Sequence, residues 1–307
     1  MKRSKTTFSQ EIKKEIVSLT FNTHCMKALL SSFLTNKLIF FLSKTKSCWQ
    51  VSSPFKYIID FIEKIFHELY DVQTRRFVRN KTSYLEIYGN YNQIKSDLCL
   101  YSQSELNTKL LNLHCCKRAY VAGAFLSGGS ISDLSQKKYW YHLEMRSENY
   151  KYLLFIQSIL VKNFNLYVVL YRRNLQYILY IKKASQISDF LKLVNATECL
   201  LKFEDLKISR DFNMQITRLN NLDISNIKKT TISSQKQIAK INKIKKTPSY
   251  KRQNHNFKLY CQLRLEHPGA SLQEIKKILA KKYKINIART SLQHYVNKIN
   301  KIYKETQ

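Results

Sequence analysis

Two apolar stretches nearly stripped of side-chain bulk, residues 25–36 (CMKALLSSFLTN) and 118–127 (RAYVAGAFLS), stand about ninety residues apart. They constrain the fold more than any other feature. In the second, Ala119, Ala122, Gly123, Ala124 and Ser127 leave one helix face bare, which lets another helix backbone approach closely. The first offers Ala28, Ser31 and Ser32 in the corresponding place. The same succession of patterns follows each stretch. After the first, residues 38–42 and 48–52 read as strands, and a helix opens behind Pro54 with Ile58, Ile62, Ile65, Phe66 and Leu69 on one face. Strands at 75–78 and 84–88 and a helix over 91–100 complete the set. After the second come an alternating run at 139–145, a helix at 149–162 and strands at 166–171 and 176–181 joined by Arg172-Arg173-Asn174. A helix at 187–194 closes the unit. A further amphipathic helix, with Phe8, Ile12, Ile16 and Leu19 at helical spacing, precedes both. The predicted class is α+β: two αββαββα halves, residues 1–105 and 106–210, meeting along a pseudo-symmetric seam of Ala28, Ser31, Ser32, Ala122, Gly123 and Ser127.

Beyond Ser225 the composition shifts. The chain carries 53 Lys and Arg against 21 Asp and Glu, a net +32, and residues 225–307 alone hold 17 Lys and 3 Arg against Glu266, Glu274 and Glu305, a net +17. A Lys-rich coding bias acts everywhere and does not account for that concentration, so a polyanionic partner is expected. Residues 211–250 read as a basic helical linker and 251–307 as an all-α module. In the module Pro268 and Gly269 end one helix, while Ser271 and Glu274 form an S-x-x-E capping box for the next. That helix turns Leu272, Ile275, Ile278 and Leu279 inward and Lys276, Lys277, Lys281 and Lys282 outward. A third helix starts near Ala288 or Arg289 and buries Leu292, Val296, Ile299 and Tyr303.

Two helices joined by a short turn, the second polar at its start, form a helix-turn-helix arrangement. Arg289, Thr290, Ser291, Gln293, His294 and Asn297 are then the base-reading candidates, because Gln and Asn pair bidentately with adenine and Arg with guanine. Lys276, Lys277, Lys281, Lys282, Lys298, Arg218, Lys229, Arg172 and Arg173 are candidates for phosphate. Arg75, Arg76 and Arg79 read equally as phosphate contacts or as solubilising residues. The aromatic strand around residues 139–142 reads better as packing than as a base-stacking surface.

The seam segment extended to 133 (RAYVAGAFLSGGSISD), residues 218–230 (RLNNLDISNIKKT) with Gln235 and Gln237, and residues 263–275 (LRLEHPGASLQEI) together resemble the WhiA family of bacterial DNA-binding regulators over essentially the full length. The repeated half resembles the LAGLIDADG homing-endonuclease fold. Several expectations follow from the resemblance. The body is a degenerate LAGLIDADG scaffold, and the partners are double-stranded DNA and other transcription machinery. The role is transcription control linked to cell division and chromosome segregation, and the place is the cytoplasm, at the nucleoid. Arg218, Asn221, Asn226, Lys229, Thr230 and Gln235 fall in the linker or its flanks, either touching DNA or packing the hinge. Cleavage in the LAGLIDADG fold needs an acid at the foot of each seam helix to hold a divalent cation. Those positions fall at about Asn36 and Gly128, neither of them acidic, and the nearest acid, Asp133, sits in a Gly/Ser turn. No catalytic residue, metal or cofactor is assigned.

Seven Cys at 25, 48, 99, 115, 116, 199 and 261 form no C-x-x-C pair, so neither a disulfide framework nor a four-ligand zinc site can be drawn from spacing. Reduced cytosolic thiols are the plain reading, and His114-Cys115-Cys116 reads as structural. The apolar runs at 29–42 and 153–161 are interrupted or too short to cross a bilayer, and the basic start lacks the uninterrupted apolar run of a signal peptide. P-loop, G-x-G-x-x-G, G-x-S-x-G and H-E-x-x-H motifs are absent. Three function classes remain: a sequence-specific DNA-binding regulator without nuclease activity, an active Mg-dependent endonuclease or maturase, and a non-specific nucleic-acid-binding protein.

Overall fold

The computed structural model describes residues 6–42, 47–100, 109–132 and 141–306, and elements are numbered along these. The chain divides between Arg210 and Asp211 into two units. In the first, α1 (Phe8–Ser18) opens with a capping box in which the Thr7 hydroxyl accepts from the Gln10 N–H and the Gln10 side chain accepts from the Thr7 N–H. The first half follows as α2 (Thr23–Lys37), β1 (Ile39–Leu42), β2 (Ser47–Ser53), α3 (Lys56–Leu69), β3 (Gln73–Arg79), β4 (Thr82–Tyr88) and α4 (Tyr91–Asp97). The second repeats the order as α5 (His114–Gly128), β5 (Gly129–Ile131), β6 (Leu143–Ser147), α6 (Tyr150–Phe164), β7 (Val169–Arg173), β8 (Gln176–Ile181) and α7 (Ala184–Leu193). Both sheets are antiparallel and share one topology, β1-β2-β4-β3 and β5-β6-β8-β7.

Strict alternation in β4 turns Ser83, Leu85 and Ile87 inward, where Ile58, Ile62 and Phe66 of α3 belong to the same buried core. The predicted strand at 139–145 begins later, at Leu143. Residues 139 and 140, like Asp133, lie outside the described residues. Arg172 and Arg173 end β7 instead of forming its turn, which falls on Asn174-Leu175. Asn174 takes φ 55, a left-handed conformation that Asn tolerates.

The small residues do what bareness permits. A Cβ at Gly123 would run into the Leu29 carbonyl oxygen and come within 3.1 Å of the Ser32 Cβ, so α2 and α5 meet backbone to backbone. Ala28, Ser31, Ser32, Ala122 and Ser127 are all buried there. The seam's polar atoms have partners: Ser31 donates to the Leu98 carbonyl at 2.7 Å, and the Tyr152 hydroxyl lies 3.0 Å from the Ser32 hydroxyl.

A single helix, α8 (Thr197–Ile244), starts within the expected second half and runs on through most of the segment read as a basic helical linker at 211–250. The Glu15 carboxylate caps it, accepting from the backbone N–H groups of Glu198 at 2.7 Å and Cys199 at 2.9 Å. Its first turns bury Cys199 and Phe203 in the core of the first unit, while its last turns bury Ile241 and Ile244 in that of the second. Residues 211–224 are exposed on every side. The second unit continues with α9 (Pro248–Lys251), α10 (His255–Glu266), α11 (Leu272–Tyr283) and α12 (Arg289–Glu305). Leu292, Val296 and Ile299 are buried as expected, but Ile302 completes the face and Tyr303 is only half-buried, with the Lys240 and Lys243 ammonium groups over its ring. No described helix is long and apolar enough to cross a membrane.

Candidate nucleic-acid interface

The turn between α10 and α11 is built from inside. Arg264, 2% exposed, donates through a guanidinium N–H to the Ala270 carbonyl and packs against the Tyr260 ring. From α8, the buried Ser234 hydroxyl donates to the Pro268 carbonyl, and Gln237 accepts from the Tyr260 hydroxyl at 3.1 Å. Ser271 and Glu274 form both bonds of the expected capping box. Glu274 Oε2 accepts from the Ser271 N–H at 2.6 Å, and Ser271 Oγ accepts from the Glu274 N–H at 3.2 Å. The Ser271 N–H and hydroxyl hold the Glu274 carboxyl below its ordinary range. Lys284, left-handed at φ 55, ends α11, and α12 starts five residues later at Arg289.

With that turn fixed, Arg289, Thr290, Ser291, Gln293, His294 and Asn297 all lie exposed on the first turns of α12, opposite Leu292 and Val296. Arg289 and Gln293 line one groove together with Lys229 and Thr230 of α8, Gln273 of α11 and the inner residues Ser234 and Arg264. Lys229 and Thr230 are therefore brought beside two base-reading candidates, although some sixty residues separate them in sequence. Lys277, Lys281 and Lys282 are exposed, as are Arg218, Asn221, Asn226 and Gln235, whereas Lys276 is half-buried. Lys298 stands apart from the phosphate candidates: it is half-buried, with its ammonium 5.6 Å from the Phe257 ring centre.

In the first unit Arg172 and Arg173 are exposed at the β7–β8 hairpin. Of the three β3 arginines, Arg75 and Arg79 lie with Phe77, Tyr84 and Tyr88 over the outer face of the first sheet. Arg76 faces the other way, bonded to Asp60 at 2.7 Å and Glu63 at 3.1 Å. At the foot of the seam, the Asn36 side-chain amide donates to the Ser127 hydroxyl at 2.8 Å and to the Arg146 carbonyl at 3.2 Å. A Cβ at Gly128 would strike that same carbonyl oxygen, so no side chain fits there. Nearby on β6, Glu144 is enclosed by Arg146, His142 and Ser130. Burial pushes its carboxyl up, but those three partners outweigh it and hold the group below its ordinary range. Among the described residues, the foot of the seam thus carries an amide donor, a glycine and a carboxylate already bonded to three partners.

Two family models match the chain in succession, the WhiA LAGLIDADG-like domain at residues 117–213 and the WhiA C-terminal HTH domain at 216–303. The chain belongs to the WhiA family. A relative from Geobacillus thermodenitrificans, named probable cell division protein WhiA, is 27% identical over 308 residues, covering 96% of this chain and 95% of that one. A Mycoplasma pneumoniae protein of the same name is 33% identical over 186 residues, 61% of this chain and 64% of that one. The crystal structure of full-length WhiA from Thermotoga maritima is 20% identical and superposes with a TM-score of 0.57 over 98% of this chain and 99% of that one, which shows a shared fold. The WhiA LAGLIDADG-like model begins at α5. The identical strand order of the two sheets is what reveals the first half as its repeat.

Sequence reading missed Arg264, Ser234 and Gln273 in this WhiA groove. Ser234 and Gln237 stand at helical spacing with Ile241 and Ile244, so polar residues on an otherwise apolar stripe were the available signal. A second omission lies at the opening turns of the seam helices. There the structure brings His24, Cys25, Cys115 and Cys116 together, a grouping invisible while His114-Cys115-Cys116 was read as a local triplet. His114 instead packs on Phe164, with ring centres 4.8 Å apart.

Proposed function

We propose that the chain is a sequence-specific duplex-DNA-binding regulator of the WhiA type, acting at the nucleoid in the control of cell division and chromosome segregation, and that its LAGLIDADG-like body has no cleavage chemistry. The observation that carries the reading is the groove of the second unit. An exposed row of Arg289, Thr290, Ser291, Gln293, His294 and Asn297 leads α12, and Lys229 and Thr230 flank it. Laid in a major groove, the α12 face meets base edges, while Lys229 and the exposed Lys277, Lys281 and Lys282 meet phosphates. Arg218, Arg172 and Arg173 add further charge along the duplex. The amide and glycine at the foot of the seam support a body kept as scaffold.

Selection from a random duplex library with the full chain, followed by anisotropy titrations in increasing salt, tests the proposal. A recovered consensus bound at least ~10³-fold tighter than random duplex supports it, and equal affinity for both gives the non-specific reading instead. Incubation of the same protein with Mg²⁺ and plasmid carrying the consensus is expected to leave the plasmid intact. Nicks abolished by EDTA would restore the endonuclease reading.

A further inference from the structure

At the end of the seam opposite Asn36 and Gly128, we propose a tetrahedral zinc site whose ligands are His24 Nδ1 and the thiolates of Cys25, Cys115 and Cys116. The four ligand atoms lie within 4.8 Å of one another, and His24 Nδ1 is 3.2 Å from Cys116 Sγ, 3.3 Å from Cys25 Sγ and 4.0 Å from Cys115 Sγ. Bonds of about 2.3 Å to sulfur and 2.0 Å to nitrogen put tetrahedral ligands about 3.5–3.8 Å apart, so small side-chain adjustments close the set. Three sulfurs and one imidazole select a thiophilic cation and exclude Mg²⁺ and Ca²⁺, which need oxygen.

The repeat explains the ligand set. Cys25 and His24 are the third and second residues of α2, and Cys116 and Cys115 are the third and second of α5, so each half contributes one adjacent pair from the same place in its seam helix. Neighbouring residues on one helix diverge, but two helices brought together at their first turns interleave their pairs. At neither helix start does the N-cap residue supply a side-chain cap, and both turn a positive dipole end toward the site. That field suits a centre of one dication and three thiolates, which carries net negative charge. Cys25 and Cys116 are buried while His24 and Cys115 are exposed, which gives the ion a way in. Bound there, zinc would tie the first half of the body to the second.

Titration of Co²⁺ into the reduced, metal-stripped full chain is the test. The expected result is a thiolate-to-cobalt charge-transfer band with tetrahedral d–d absorption, saturating at one ion per chain and erased by Zn²⁺. Cys115→Ser and His24→Ala, both at exposed positions, should weaken cobalt binding by at least roughly tenfold, and Cys48→Ser should leave it intact. Zn²⁺ should raise the thermal midpoint of the wild type and of Cys48→Ser, and do so much less in Cys115→Ser. Absence of the charge-transfer band in the reduced wild type overturns the proposal, and so does an unchanged band in a Cys25→Ser/Cys115→Ser protein.

Discussion

The two units treat their charges in opposite ways. In the body, several cations find carboxylates: Lys27 meets Asp97 at 2.8 Å, Arg76 spans Asp60 and Glu63, Arg146 holds Glu144, and Lys202 reaches Glu11 at 3.1 Å. In residues 211–307 no Lys or Arg among the described residues pairs with an acid. Cations there lie over rings, as Lys240 and Lys243 over Tyr303 and Lys282 over Tyr283, donate to neutral oxygens, as Arg264 to the Ala270 carbonyl and Lys258 to the Lys251 carbonyl, or lie exposed. Exposed ion pairs add little stability, so the difference concerns charge left available more than folding. The body pairs part of its charge internally while still holding 32 Lys and Arg against 16 Asp and Glu in residues 1–210; the C-terminal unit, with 21 against 5, leaves its cations free of acids.

The seam is the most severe test of the body as a close-packed scaffold. Gly123→Ala drives a methyl group into the Leu29 carbonyl, and thermal unfolding should show a loss of about 2–3 kcal/mol. Lys13 is a cation that the body buries, with its ammonium between the Phe55 and Phe125 rings. Burial first, and Lys37 second, lower it from 10.5 to about 8. The unfolded chain then holds the extra proton between those pH values, so stability should rise as pH climbs from about 8 to 10.5. Lys13→Met should remove that rise and stabilise the protein by about 2 kcal/mol at neutral pH, measured by denaturant melts across the range.

The C-terminal unit should show its open charge in DNA binding instead. Asn297→Ala should cost about 1–2 kcal/mol on the selected duplex and almost nothing on random sequence; equal losses on both would take Asn297 out of base reading. Lys277→Gln should weaken all duplexes alike and flatten the slope of log affinity against log salt by about 0.9. An unchanged slope would mean that Lys277 meets no phosphate, and the contrast between the units would then need redrawing around Lys229.

What the sequence determined by itself was whatever depends on near neighbours along the chain. The alternation in β4, the Ser271–Glu274 box and the apolar face of α3 are each set within a few residues, and side-chain period and capping geometry need nothing more. The bareness of Ala28, Ser31, Ser32, Ala122 and Gly123 likewise announced a helix seam. Tertiary structure decided which distant residues meet. It continued α8 through Ser225 without a break, turned Arg76 toward Asp60 while leaving Arg75 on the outer face, set Lys229 beside Gln293, and gathered His24 and Cys25 with Cys115 and Cys116. Such meetings follow from how whole helices pack across the seam or around the second core, and no periodicity within one helix records the position of another.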